Sequence, residues 1–320
     1  MISPARAVVS SACRRGGAPC LSVLIYHRVL EQPDFMLPGD VTREEFRRQM
    51  ELVGRLFNVL DLGEAVERLF NGTLPERALC ITFDDGYADT HDIGCPVLET
   101  LGLPATFFVA TAYLDGGRMW NDTVIEALRR ETAERIDLGP LGLGLGWADV
   151  STPQGRKAAA DKVIQRLRYL PNEARSRKAD WFRDRLGKQL PCDLMMTAEQ
   201  IRGLDTRGMG IGAHTETHPI LALLERDEAI REIRRGKERL EQILGKRVNL
   251  FAYPNGKFRQ DFTVRDVELV ASLGFKAALT AEAGVSCRST PRFGLRRFTP
   301  WDRGTFRFAA RMVLNCRHRL

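Results

Sequence analysis

The chain has 320 residues, 44% hydrophobic and 28% charged, enough to bury a large core as one big α/β domain or two smaller ones. Its net charge of +7 is spread along helix faces among glutamates, which excludes a dedicated nucleic-acid module and reads as a solvated surface. No window reaches the roughly 18 apolar residues a membrane span needs, and the seven cysteines form no Cys-x-x-Cys pair, so a reduced compartment is expected.

Met1 to Cys20 carries Arg6, Arg14 and Arg15 but only the short apolar piece Ala7-Val8-Val9. With no apolar h-region, residues 1–20 read as an N-terminal segment and not as a signal peptide. A cytoplasmic location is expected, an extracellular or periplasmic one staying open. Leu21 to His27 reads as a buried strand ending in a polar residue. From Thr42 to Phe57, apolar Phe46, Met50, Val53 and Phe57 recur at helical spacing behind a Thr42–Glu45 capping box. A second short helix is predicted from Leu62 to Phe70, stopped at Gly72. The strand Ala78–Phe83 follows, then the turn Asp84-Asp85-Gly86, a helix through Pro96 to Leu101 and the strand Leu103–Val109. Strands alternating with helices over short connections indicate parallel βα units.

The rhythm breaks over roughly 118–195, where Asp122 to Arg130, a Gly- and Leu-rich loop near 138–146 and a charged stretch from Gln154 to Leu186 predict a helical insertion. Ala158 to Ala160 with Val163, Ile164 and Leu167 give that stretch only a narrow apolar stripe, so it must pack on something else. Alternation resumes with a Thr197–Gln200 capping box, the strand Gly210–Ala213, an amphipathic helix Asp227–Leu244 ended by Gly245, and the strand Val248–Tyr253. A helix Thr263–Leu273, the strand Phe275–Thr280 and a last strand Leu295–Phe298 complete the series. Six or seven parallel strands with polar residues at their C-terminal ends predict an α/β barrel over 21–302 with its chemistry at that rim. The basic tail 303–320 mixes Phe306, Phe308 and Val313 with Arg307, Arg311, Arg317 and Arg319. It is predicted as a docked terminal helix, with contact to an anionic membrane surface as the alternative.

Two strand ends carry the chemistry. Asp84 and Asp85 close one apolar run, and His214-Thr215-Glu216-Thr217-His218-Pro219 closes another. Asp-Asp-Gly is also a common turn, and histidines at i, i+4 arise by chance. Together at a barrel rim they suit Asp85, His214 and His218 as ligands to a divalent metal, most simply Zn²⁺, with positions left for water and substrate. Asp84 is then the base that takes the proton of the attacking water, and the Tyr87 backbone N–H meets the developing oxyanion.

The segments Thr82–Tyr87, His214–Pro219, Phe251-Ala252-Tyr253-Pro254-Asn255-Gly256 and Leu101–Val109 resemble the motifs of the polysaccharide deacetylases, the NodB-homology group of carbohydrate esterase family four. The resemblance spans roughly residues 21–300. It implies a distorted (β/α)7 barrel that removes N- or O-acetyl groups from sugars, with Asp84 as base and Asp85, His214 and His218 as ligands. Tyr253 and Pro254 are expected to line the substrate pocket.

Three positions depart from the family pattern. The usual arginine of the third motif is Ala252 here, and Arg296 or Arg297 is the candidate to orient the catalytic aspartate at the substrate site. The late Leu-x-His motif is missing, and His318 in the basic tail is a poor substitute. His27, in Tyr26-His27-Arg28-Val29, resembles the opening-strand histidine of the poly-N-acetylglucosamine deacetylase subgroup and is expected to protonate the leaving amine. A lone strand-end histidine is otherwise structural. The fourth motif's Asp-x-x-x-Trp is replaced by Trp301-Asp302 in the opposite order. Trp120 either stacks on a sugar ring or anchors the insertion. The expected substrate is an acetylated glycan; rival readings are hydrolysis of a non-sugar amide or imide, and carbohydrate binding without turnover.

Overall fold

The computed structural model describes residues 4–186 and 190–317, and the chain divides into two compact units. The first comprises Met1–Gln32, Asp40–Leu114 and Met196–Leu320; the second comprises Pro33–Gly39 and Asp115–Met195. His318 and Arg319 lie outside the described residues.

In the first unit, parallel strands β1 (Ser22–Tyr26), β2 (Ala78–Phe83), β3 (Thr106–Val109), β4 (Gly210–Ala213), β5 (Leu250–Ala252) and β6 (Ala277–Leu279) form one curled sheet. Their order is β6-β5-β4-β3-β2-β1, and the short Asn58–Val59 also pairs with the start of β2. The segment Leu295–Phe298 makes parallel bridges to Leu279 on one side and Leu24 on the other. It joins the two sheet edges, giving a distorted (β/α)7 barrel.

Strand alternation separates two apolar layers. Leu79, Ile81 and Phe83 of β2 face the outer core with Leu24, Phe107 and Phe251. Ala78 and Cys80 face an inner core with Val23, Phe108, Leu250, Ala252 and Leu279. Helix α1 (Pro4–Ala12) precedes the barrel; α2 (Arg43–Leu56) buries Phe46, Met50 and Val53 behind the Thr42–Glu45 capping box. Helix α3 (Leu62–Asn71) adds Leu62, Ala65, Val66 and Leu69 to the inner core. Helix α4 (Cys95–Leu101) lies between β2 and β3 in the chain.

The second unit has its own core. Helices α5 (Trp120–Arg130), α6 (Pro153–Leu167) and α7 (Asn172–Leu186) surround Val124, Leu128, Ile136, Val163, Leu167 and Phe182. The charged stretch expected as one long helical region is broken after Leu167, with Pro171 just ahead of α7. The loop near 138–146 is the tip of an antiparallel pair, Arg135–Asp137 with Trp147–Asp149. The narrow stripe of α6 finds its partner inside the insertion, where buried Ala159 and Ala160 admit close packing.

Helix α8 (Ala198–Thr206) leads into β4, α9 (Arg226–Leu244) into β5, and α10 (Val264–Ser272) into β6. The tail forms α11 (Thr305–Arg317), which packs on α1 and α2. Disulfides Cys13–Cys316 and Cys20–Cys287 tie both ends of the described chain to the barrel, while Cys80, Cys95 and Cys192 are free. This corrects the expectation of a fully reduced protein. The partners lie 303 and 267 residues apart, so local spacing carried no sign of the pairing. Among the described residues, no helix is long and apolar enough to cross a membrane.

Candidate active site

Register brings the site together. Tyr26 pairs with Phe83, and the Asp84 N–H donates to the Tyr26 carbonyl at 2.9 Å, so His27 and Asp84 leave the sheet side by side. On the other side of β3, Ala213 pairs with Val109, and the His214 N–H donates to the Val109 carbonyl. The sequence-distant motifs thus share one rim.

The two neighbouring carboxylates have different surroundings. Asp84 is buried, and the Arg297 guanidinium grips it bidentately, Nη1 to Oδ1 at 2.6 Å and Nη2 to Oδ2 at 2.8 Å. Arg297 is 1% exposed and donates its Nε–H to the Thr280 carbonyl, with Nη1 also near the Thr82 hydroxyl. Planar double hydrogen bonding of this kind fixes the carboxylate plane as well as its charge. Burial pushes the Asp84 carboxyl up, but the charges of Arg297 and then His214 outweigh it, leaving Asp84 below the usual carboxylate range.

Asp85 sits at φ +76°, a left-handed conformation that is strained for a non-glycine residue. Its Oδ1 lies 3.4 Å from His214 Nε2 and 3.3 Å from His218 Nε2, and that buried oxygen accepts no hydrogen bond. Burial raises Asp85, yet the charge of His218 and its contacts with His214 hold it far below the usual range. His214 is buried; desolvation lowers its pKa, but Asp84 and Asp85 raise it further, above the ordinary imidazole value.

The three ligand atoms of Asp85, His214 and His218 lie within 4.8 Å of one another. An orphaned carboxylate oxygen between two imidazole nitrogens is the donor set of a divalent cation site, so these residues fit such an ion. Nδ1 of His214 is 2.7 Å from the Ala252 carbonyl, which holds the ring with Nε2 turned toward Asp85.

The histidine loop is braced by residues that motif reading missed. Thr215, at φ +65°, accepts the His218 N–H on its hydroxyl oxygen, and His218 itself is at φ +54°. Glu232 of α9 accepts the N–H groups of Glu216 and Thr217 and the Thr217 hydroxyl. A Cβ at Gly236, one turn on, would come 2.4 Å from the Thr215 carbonyl oxygen, so only glycine lets α9 approach this closely. Similarly, a Cβ at Gly86 (φ +93°) would lie 2.9 Å from Val109 Cγ1.

His27 is exposed just beyond β1, and its charge acts on Asp84, Asp85 and Asp40. Asp40, not noticed in the sequence, is pushed up to about 6 by burial, against the pull of His27 and Arg28. Tyr87 is buried, its ring 4.6 Å beneath the Arg28 guanidinium.

Other expectations are corrected. Tyr253 does not line a pocket: it is 1% exposed, stacked on Phe262 at 3.8 Å on the outer face of the sheet, and donates its hydroxyl to the Phe293 carbonyl. Pro254 is buried beside it. Of the two arginines expected to orient the aspartate, Arg297 is the one that meets Asp84, while Arg296 donates to the Ala283 carbonyl. Trp120 is half-buried against the core of the second unit, with the Arg175 guanidinium over its ring.

Comparison with known proteins agrees with this geometry. The profile described as "Polysaccharide deacetylase" matches residues 71–142 and 172–278. The Bacillus subtilis (strain 168) protein YxkH, which carries a polysaccharide deacetylase name, is 20% identical over 279 residues, 87% of this chain and 70% of that protein. Among solved structures, IcaB from Ammonifex degensii superposes with a TM-score of 0.59 at 21% identity, covering 93% of this chain and 97% of its own. The Streptococcus pyogenes deacetylase PplD in complex with acetate gives 0.58 at 17%, covering 88% and 92%. With more than half of its length matched by the family profile, the chain belongs to the polysaccharide deacetylases, hydrolases of carbon–nitrogen bonds other than peptide bonds.

Proposed function

We propose that the protein removes N-acetyl groups from amino sugars of a polysaccharide or glycan precursor, with a divalent cation held by Asp85, His214 and His218. The observation that carries this reading is the pairing of an arginine-clamped carboxylate, Asp84, with an adjacent Asp-His-His cluster. When bound, the cation, most simply Zn²⁺, supplies Lewis acidity that makes water acidic enough for a weakly basic carboxylate to deprotonate. Asp84 accepts the water's proton as the water oxygen bonds to the acetyl carbon. The Tyr87 backbone N–H faces the oxygen that gains charge. Breaking the C–N bond releases acetate, and His27 gives a proton to the departing sugar amine.

The polysaccharide deacetylase family match, and the acetate held by the similar deacetylase PplD, favour an acetylated sugar over a cyclic imide. Two disulfides favour an oxidising compartment over the cytoplasm. Denatured protein kept from reductant should show three titratable thiols in place of seven, and seven would remove that assignment. The test of function is acetate release from N-acetylglucosamine oligomers by zinc-loaded protein. Release only from a non-sugar amide, or binding of the oligomers without acetate release, would replace the proposal.

A further inference from the structure

Helix α11 presents two apolar faces, and only one is used by the core. Phe308, Met312 and Cys316 point inward and are buried. Phe306, Ala310 and Leu314, spaced i, i+4, i+8, form an outer stripe on which Phe306 is 86% and Leu314 61% exposed. Just before the helix, Trp301 is 70% exposed. Arg307, Arg311 and Arg317 flank the stripe, Arg311 being paired with Asp302. Neighbouring α1 adds exposed Arg6 and Val8. Neither helix contains an acidic residue.

We infer that this face is a seat for an anionic bilayer surface, into which Trp301, Phe306 and Leu314 insert while the arginines meet lipid phosphates. Aromatic and aliphatic side chains flanked by arginines, with Asp302 the one carboxylate beside them and already paired with Arg311, match the interfacial region of such a membrane in both polarity and charge. A protein partner of acidic character would satisfy the arginines but leaves the long one-sided apolar stripe without a reason. The patch starts four residues after Arg297, the residue that grips Asp84, and Arg303 reaches the backbone carbonyl of Asp40. On the deacetylase reading above, the seat directs the enzyme to glycan held close to a membrane.

The test uses the full chain and lipid vesicles without sugar, so it stands or falls independently of the reaction. The protein should co-sediment with phosphatidylglycerol-containing vesicles at low salt and far less with pure phosphatidylcholine. Trp emission should shift to the blue on binding, and the shift should be lost in Trp301→Phe. Phe306→Ser combined with Leu314→Ser should abolish sedimentation while acetate release from soluble oligomers persists. Removal of Arg307 or Arg317 should each weaken binding about fivefold. Absence of binding to anionic vesicles, equal binding by the Phe306→Ser/Leu314→Ser protein, or a dimer held by this stripe in place of vesicle binding would each overturn the proposal.

Discussion

Asp84 and Asp85 are neighbours in the chain and both are buried, yet they are built for opposite tasks. Both oxygens of Asp84 are taken by one guanidinium in fixed geometry. Asp85 instead keeps Oδ1 without a hydrogen bond, between two imidazole nitrogens, on a strained backbone. A buried acceptor left unpaired is destabilising by about 1–3 kcal/mol, so its retention points to something outside the polypeptide that completes it. A carboxylate whose two oxygens are both gripped by arginine is a poor ligand, but it keeps lone pairs that can take a proton, and its ionised state and orientation are secure. Local partners, and not burial or sequence position, separate the base from the ligand.

The largest effects come from exchanging these roles. Asp84→Asn should lower kcat/KM by about 10²–10⁴-fold while one cation per chain stays bound. Asp85→Asn or His214→Ala should remove the cation, read by elemental analysis of purified protein, and take activity with it. If Asp84→Asn emptied the site while Asp85→Asn retained its metal, the contrast between the two aspartates would be reversed.

Next comes the clamp. Arg297→Ala leaves a buried carboxylate uncompensated and should destabilise the fold by about 3–5 kcal/mol, a loss that Arg297→Lys restores only in part because the double hydrogen bond is gone. The pH dependence follows from the direction of the Asp84 shift. A carboxyl whose folded pKa is depressed stabilises above its unfolded value, near 3.9, and that contribution disappears as pH falls through the lower folded value. In cation-free protein, Asp84→Asn should therefore flatten the fall of Tm at acid pH. A fall as steep as in the parent protein would detach Asp84 from acid stability.

Much of this arrangement was legible before any coordinates. Largely apolar Ala78–Phe83 and Gly210–Ala213, each running abruptly into charged or imidazole side chains, marked where strands end at the rim, so Asp84, Asp85, His214 and His218 stood out as candidates there. The caps at Thr42 and Gly245 stand where the sequence put them. Arg297 was visible only as a candidate for a missing arginine, because its partner lies 213 residues away and no local pattern links them. Tyr253 was misjudged, although strand alternation held the answer: Ala252 faces the inner core, so the next side chain must face outward. Glu232 was hidden among the charges of α9, where one buried carboxylate looks like any solvated one.

That last residue gives the finest test of the contrast. Glu232 touches neither aspartate; it holds the backbone of the loop that carries His218. Burial raises its carboxyl pKa above the ordinary value, and the hydrogen bonds from Thr217 offset this only in part. Glu232→Gln replaces one acceptor oxygen by an NH₂ group facing N–H donors and should loosen the loop without emptying the core. Cation affinity, measured by competition with a chromophoric chelator, should fall about 10–100-fold, while Tm changes little and turnover at saturating zinc is largely restored. Asp84→Asn should lower that same affinity far less, because Asp84, although its Oδ2 lies 3.8 Å from His214 Nε2, is gripped by Arg297 and is not one of the three ligands. An equal loss of affinity in both variants would mean that the two carboxylates act as one coupled unit, and the division of labour between them would have to be given up.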